Sequence, residues 1–485
     1  MTEPLIYELS HPGRCAVTLP DCDVPETALP AEYLRAELPL PELAELDVVR
    51  HYLHLSRLNF AIDVGFYPLG SCTMKYNPKV NDVAASLPGF SGLHPLQPED
   101  SVQGMLALLQ GLQELLAEIG GFAAVSLQPA AGAQGELSGV LMMRRYLHDR
   151  GETQRTVVLV PDSAHGTNPA TTTMAGLRVI QAPSDARGNV DIAILRQLVT
   201  EYGPQLVGLM LTNPNTLGLF DEHLSMVLDL VHGAGGLVYG DGANMNALLG
   251  VMKPGAVGFD VMHFNLHKTF ATPHGGGGPG AGAVGASAAL AAYLPGPMVA
   301  RDGETYRWEM PARSIGRVKS FYGNVGILVR AYTYIRMLGA VGLRAVSENA
   351  VLNANYVQEQ VKALYPVPHG DRRCMHEFVA QGIIDGAPGV HTLDIAKRLL
   401  DFGVHPPTIY FPLIIPEAMM IEPTETESKE TLDAFVAALR QIAEEARVNP
   451  ELITTAPHTT PLKRLDEVKA ARYPVLTEMP DAPSG

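Results

Sequence analysis

Apolar residues recur along this chain in two rhythms. Across 104–119 they fall at three- and four-residue spacing, which predicts an amphipathic helix, and 136–147 repeats the pattern after a glycine-rich turn. Short, nearly unbroken apolar runs follow at 156–161, 177–182, 206–212, 236–241 and 261–264, with helical patterns at 191–202 and 221–234 between them. Apolar runs alternating with helices predict an α/β fold with a mostly parallel sheet covered on both faces. Ligands in such sheets bind beyond the carboxyl ends of the strands. Chemistry is therefore expected in the residues that follow each run.

The flanks lack this rhythm. Residues 1–90 are rich in proline, carry one helical pattern at 42–59, and are expected to form an N-terminal arm. Residues 91–340 hold the alternating pattern of a large domain, and 341–485 a smaller α+β domain. That last part shows a helix at 392–402, a strand at 408–415 and a helix at 428–446, with Thr424 and Glu427 spaced as a capping box.

Composition narrows the function classes. A hydrophobic fraction of 46% excludes a disordered or fibrous chain. With 35 basic against 51 acidic residues and a net charge of −16, neither nucleic acid nor an anionic membrane is an expected partner. Cys15, Cys22, Cys72 and Cys374 are scattered and form no CxxC, so neither a disulfide framework nor a zinc site is expected. The first residues carry an early acid and no apolar core of a signal peptide, and the apolar stretch 280–294 is shorter than the ~20 residues that span a bilayer. The expected setting is the cytoplasm.

Four segments carry chemistry. Lys268 follows an apolar run and precedes an aromatic residue and the glycines 275–278. An amine in apolar surroundings favours its neutral form, which attacks an aldehyde to give a Schiff base. The order of a P-loop, with its lysine after GxxxxG, is absent. Asp241 closes the run before, 27 residues upstream of Lys268; a buried carboxylate there needs a cation or hydrogen bonds, and a protonated pyridine nitrogen would serve. Gln128-Pro-Ala-Ala-Gly132-Ala133-Gln134-Gly135-Glu136 stands directly before a helix, where free amides attract a phosphate. His165 and Thr212 each follow an apolar run; the imidazole either serves local structure or stacks on a planar ring, and the hydroxyl offers a hydrogen bond to a ring oxygen. Together these describe a pyridoxal phosphate site.

The wording of several stretches goes further. Tyr67-Pro-Leu-Gly-Ser-Cys72-Thr-Met-Lys-Tyr-Asn77, Leu127 to Gly135, Ala164-His-Gly-Thr-Asn-Pro169, Asp241-Gly-Ala-Asn-Met-Asn246, Asn265-Leu-His-Lys-Thr-Phe270 and Ile421-Glu-Pro-Thr-Glu-Thr-Glu427 resemble the glycine decarboxylase P-protein of the glycine cleavage system, in its pyridoxal-bearing subunit 2 form. The resemblance runs from about residue 50 to 450. It implies fold type I of the pyridoxal enzymes, like aspartate aminotransferase. It further implies pyridoxal 5'-phosphate held covalently at Lys268, with Asp241 on the ring nitrogen, His165 and Ala243 on the two ring faces, and Thr212 at the ring oxygen. Gly132, Ala133, Gln134 and His267 would hold the phosphate. Ala131 stands where some family members carry a hydroxyl. The implied activity is decarboxylation of glycine with transfer of the aminomethyl group to the oxidised lipoyl group of H-protein, which is then a co-substrate. The implied partners are lipoylated H-protein and a P-protein subunit 1, in an α2β2 assembly. By the same resemblance the loop containing Cys72 and Lys75 borders the active-site entrance. Cys72 is either redox-sensitive or an inert thiol, and Lys75 either meets a carboxylate or phosphate or is solvated.

Two rival readings share some of these residues. Another fold-type-I enzyme, a decarboxylase or aldolase, would share Lys268, Asp241 and His165 but not the Cys72 loop, and dependence on a lipoyl carrier separates the two. A non-catalytic scaffolding half of a P-protein would lack the cofactor lysine, which this chain has.

Overall fold

A computed structural model describes residues 3–36, 38, 40–94, 97–274 and 280–476. The expected glycine run 275–278 lies outside the described residues. Contacts divide the chain into two compact units, Met1–Gly65 with Pro457–Gly485, and Phe66–Ala456. The first contains a helix at Glu45–Arg57, closed at its start by the Asp47 carboxylate accepting from the Ala44 amide.

The second unit is built on a seven-stranded sheet among the described residues. Its strands are β1 (Ala124–Ser126), β2 (Val157–Pro161), β3 (Arg178–Ala182), β4 (Leu206–Thr212), β5 (Leu237–Asp241), β6 (Val261–Asn265) and β7 (Gly282–Ala286). Their spatial order is β1-β7-β6-β5-β4-β2-β3. The five strands from β2 to β6 run parallel, while β7 is antiparallel to both β6 and β1.

The apolar runs became strands because both their faces are covered. Val157 and Leu159 of β2 point into one core, and Val158 and Val160 into the other, as the two-residue period of a strand requires. The helix Gln103–Gly120 buries Leu106, Leu109, Leu112 and Leu116 in the first core, and ends where Gly121 turns left-handed at φ +74°. On the opposite face the helix Gly132–Asp149 supplies Val140, Met142, Met143 and Leu147. A hairpin of β8 (Met298–Asp302) and β9 (Thr305–Glu309) follows the sheet. The long helix Val325–Val361 is broken at Gly339; it packs in the first core as far as Val346 and enters a further core from Ala354 to Val361.

A three-stranded antiparallel sheet, β10 (Phe378–Gln381), β11 (Thr408–Ile409) and β12 (Ala418–Ile421), carries the third core with the helices Thr392–Asp401 and Lys429–Val448. Two expectations fail here. The strand expected at 408–415 stops at Ile409, because Tyr410 takes a left-handed φ of +56° and Pro412 has no N–H to donate. The capping box from Thr424 and Glu427 is not formed. Ser428 caps the last helix instead, accepting from the Thr431 amide at 3.3 Å, while Thr424 sits buried at φ +55°. Among the described residues no helix is long and apolar enough to cross a membrane.

The loop after Gly70 is bound into this unit by charge. The buried Lys75 ammonium meets Glu425 Oε1 at 2.8 Å and also donates to Asn246 Oδ1 at 2.8 Å and the Tyr334 hydroxyl at 3.2 Å. Burial works to lower the lysine pKa, but the Glu425 charge and these bonds leave it raised. Lys75 therefore meets a carboxylate rather than solvent. Losing one partner strands the other charge in a dry site, so Lys75→Ala is expected to lower the unfolding free energy by about 3–5 kcal/mol in urea titration. The double replacement Lys75→Met, Glu425→Leu should recover most of that loss.

Candidate active site

Because β2, β4, β5 and β6 are adjacent and parallel, their carboxyl ends open on one cavity of about 280 Å³. Ala131, Gly132, Ala133, His165, Thr212, Asp241, Ala243, His267 and Lys268 all line it, joined by Ser71, Glu136, His263 and Asn265. Of the expected site residues only Gln134 is missing from the lining. Its side chain turns away, accepting from the Ala130 amide at 2.6 Å and donating to Val318 O at 2.7 Å.

Each residue is placed by a local rule. Lys268 sits on the short helix Leu266–Thr269 that turns the chain at the end of β6. Gly132 begins a helix whose N-cap residue, Ala131, makes no side-chain capping bond, so the first amides keep their donors. A Cβ on Gly132 would lie 2.1 Å from Asn265 Nδ2, which requires glycine at that position. The Thr212 hydroxyl is buried without a hydrogen-bond partner. His165 closes a turn, with Nδ1 2.9 Å from the Thr167 hydroxyl.

Asp241 is nearly buried yet held below its ordinary pKa. Burial pushes the carboxyl up, but His263, the Ala243 amide at 2.9 Å, Lys268 and the Asn168 amide at 3.3 Å together outweigh it. Glu136 goes the other way. Burial first, and the Asp241 charge second, raise it to about 7 despite bonds from Thr167, Thr171 and Asn168. Asn168 Nδ2 donates to both carboxyls, so one amide spaces an ionised acid from one that takes its proton near neutrality. His267 is pushed down to about 3, mainly by burial and then by His274 and Lys268, and stays a neutral ring.

A buried chain orients the floor of the cavity. Burial raises the Tyr239 phenol far enough to keep its proton, so it donates to His263 Nδ1. That sets the His263 tautomer: Nε2–H donates to Asn265 Oδ1 at 2.8 Å and turns the Asn265 amide nitrogen toward Gly132. None of these roles for Glu136, Asn168, His263 or Asn265 was assigned from sequence. The available signal was the two-residue spacing of His263 and Asn265 on a strand, which places both on one face. Cys72 is half-buried. Burial raises its thiol pKa, with Lys268 opposing and Glu422 and Glu377 reinforcing, so it stays protonated.

Comparisons with known proteins agree with this architecture. A family model described as glycine dehydrogenase, C-terminal domain, matches residues 346–463. The chain is 56% identical over 488 aligned positions to a probable glycine dehydrogenase (decarboxylating) subunit 2 of Desulforamulus reducens, covering 99% of this chain and 100% of that one. A protein of the same name from Halalkalibacterium halodurans is 57% identical, covering 98% of each. A crystal structure of the glycine decarboxylase (P-protein) of the glycine cleavage system, in inhibitor-bound form, superposes with a TM-score of 0.72 at 23% identity, covering 85% of this chain and 93% of that chain. The structural likeness establishes a shared fold, the type I fold expected above.

The raised Glu136 makes a signed pH prediction. The folded state binds this proton more tightly than the unfolded chain, so its stabilising contribution is full below about pH 4.5 and is lost as pH rises toward 7. Glu136→Gln removes that loss. Relative to the parent, the variant should gain about 3 kcal/mol of stability between pH 4.5 and 7.5, read from urea titrations at both values. A constant difference across that range would refute the assignment.

Proposed function

The chain belongs to the glycine dehydrogenase (decarboxylating) subunit 2 family, and from that membership we propose that it decarboxylates glycine with pyridoxal 5'-phosphate held covalently at Lys268. The aminomethyl group passes to the oxidised lipoyl arm of H-protein, and CO2 is released. The observation that carries this reading is the convergence of Lys268, Asp241, His165 and Gly132, from four separate segments, on one cavity.

The residues present fit the cofactor. An ionised Asp241 suits a protonated ring nitrogen, the unpartnered Thr212 hydroxyl suits a ring oxygen, and the uncapped helix start at Gly132 suits a phosphate. His165 and Ala243 would pack on the two ring faces, with the amides of Gly132, Ala133 and Gln134 and the His267 ring at the phosphate. When bound, the cofactor supplies an electron sink for the carbanion left as CO2 departs.

The chain's own residues do the rest. Asp241 holds its negative charge where a ring proton must be kept, and its hydrogen bonds from Ala243 and Asn168 cost no reorganisation during reaction. A protonated Glu136 spares Asp241 a second negative neighbour. The neutral His267 accepts from the Ala281 amide through Nδ1 at 3.4 Å, which leaves Nε2–H as a donor. The partners are a subunit 1, in an α2β2 assembly, and lipoylated H-protein, in the cytoplasm.

The test is glycine-dependent exchange of labelled bicarbonate into the glycine carboxyl. Exchange should require the subunit 1 partner and lipoylated H-protein. Lys268→Ala should abolish the cofactor absorbance band and reduce exchange by more than about a thousandfold. Normal exchange by that variant, or exchange without a lipoyl carrier, would sink the reading.

A further inference from the structure

One cluster beside the cavity is not used by the chemistry above. β10 and β12 pair antiparallel with Phe378 opposite Ile421, so continuing that register by one residue sets Glu377 opposite Glu422. Both are fully buried, and a carboxylate oxygen of each lies within 4.8 Å of the other and of a His376 ring nitrogen. Two like charges directly opposite in a dry site cannot both persist. Burial raises both carboxyls, Glu422 to about 7 and Glu377 well above its usual range, with Glu422 adding to the rise of Glu377 and Lys268 opposing in both.

Their hydrogen bonds differ in a telling way. Glu377 accepts from the Ser71 amide at 2.7 Å and from Asn244 Nδ2 at 3.4 Å, so both its oxygens are engaged. Glu422 accepts from the Thr73 amide at 2.9 Å through one oxygen. Its other oxygen has no donor and faces His376 Nε2, itself unpartnered, across 3.9 Å. That Glu422 oxygen is the place on the pair where a shared proton displaces no hydrogen bond.

The two amides belong to the residues on either side of Cys72, and both residues are left-handed, Ser71 at φ +64° and Thr73 at φ +44°. Such backbone costs about 1–3 kcal/mol per residue and persists only when neighbours over-determine it. The neighbours here are the two glutamates, reinforced where Gly70 meets β12: its amide donates to Met420 O at 3.2 Å, and a Cβ there would lie 2.2 Å from Met420 Cγ. The held loop is the one that sends Ser71 into the cavity with Lys268.

We propose that Glu377 and Glu422 are positioning residues which, carrying one proton between them, clamp the Ser71–Thr73 backbone in its left-handed form and so set Ser71 at the glycine-binding cavity. The consequence for glycine rests on the function proposed above, whereas the clamp does not. Glutamine at 422 keeps the acceptor for Thr73 and places an N–H toward His376, so it mimics the protonated acid. Alanine removes the acceptor.

Hydrogen exchange of the full-length chain, followed by mass spectrometry on the peptide containing Ser71 and Thr73 without glycine, reads the clamp directly. Glu422→Ala and Glu377→Ala should each speed exchange there by at least about tenfold, and Glu422→Gln should restore it to within about twofold of the parent. In the exchange assay with labelled bicarbonate, the alanine variants should raise KM for glycine more than they lower kcat, with the cofactor band retained. Parental amide exchange in Glu422→Ala, equal acceleration by glutamine and alanine, or a tightly bound divalent metal lost in Glu422→Gln would each overturn the clamp. Failure of glycine turnover in every form, with the amide pattern as expected, would instead sink the proposed function and leave the clamp standing.

Discussion

The structure depends on the hydrogen-bonded register of its parallel strands. Neighbouring strands sit about 4.8 Å apart, and β4 and β5 are aligned so that Thr212 pairs with Asp241 at their common end. β6 adds Asn265 and then Lys268 at the same edge. Residues distant in sequence therefore share one cavity without any local sequence contact. The first helix amides at Gly132 reach the same place because their helix packs on β6 and β7.

Within that frame, buried charge is sorted by its immediate neighbours. Asp241 and Glu136 are both carboxyls in one pocket, yet one stays ionised and the other takes a proton near neutrality. The difference lies mainly in neighbouring charge: Asp241 faces His263 and Lys268 and receives a backbone amide, whereas Glu136, despite its own hydrogen bonds, faces the charge of Asp241. The loop at 70–75 shows the same sorting on the other side of Lys268. Lys75 finds a carboxylate of its own in Glu425, and the facing pair Glu377 and Glu422 is balanced by loop amides. These buried charges are compensated locally, as desolvation demands, while the Thr212 hydroxyl and one Glu422 oxygen are left without a partner.

The fold survives at 23% identity in the glycine decarboxylase crystal structure because strand burial asks only for apolar residues at alternate faces. The chemistry asks for more. Gly132 cannot carry a side chain beside Asn265, and the His263 tautomer needs a protonated phenol behind it. Such requirements tie particular residues to particular positions, which is why the motif wording was so specific to one family.

Much of the architecture was legible in the chain. The five parallel strands lie within one residue of the apolar runs at each end, since a strand buried on both faces must be apolar throughout. Lys268, Asp241 and His165 were singled out because chemistry collects just after such runs, and Gly132 because it stands directly before a helix. What escaped had no local pattern. The antiparallel β7, of sequence Gly-Ala-Val-Gly-Ala, is too small-residue-rich to announce a strand, and β1 is only three residues long. The capping of the last helix by Ser428 rather than Thr424 was decided by the burial of Thr424. The pairing of Glu377 with Glu422, and of Lys75 with Glu425, joins residues whose separation in sequence bears no relation to their separation in space. The sequence by itself determined which segments could be buried and which residues could do chemistry, because hydrophobicity and reactivity are properties of single side chains. Protonation, tautomer and partner were decided only by the tertiary structure, because they depend on what burial brings within a few ångströms.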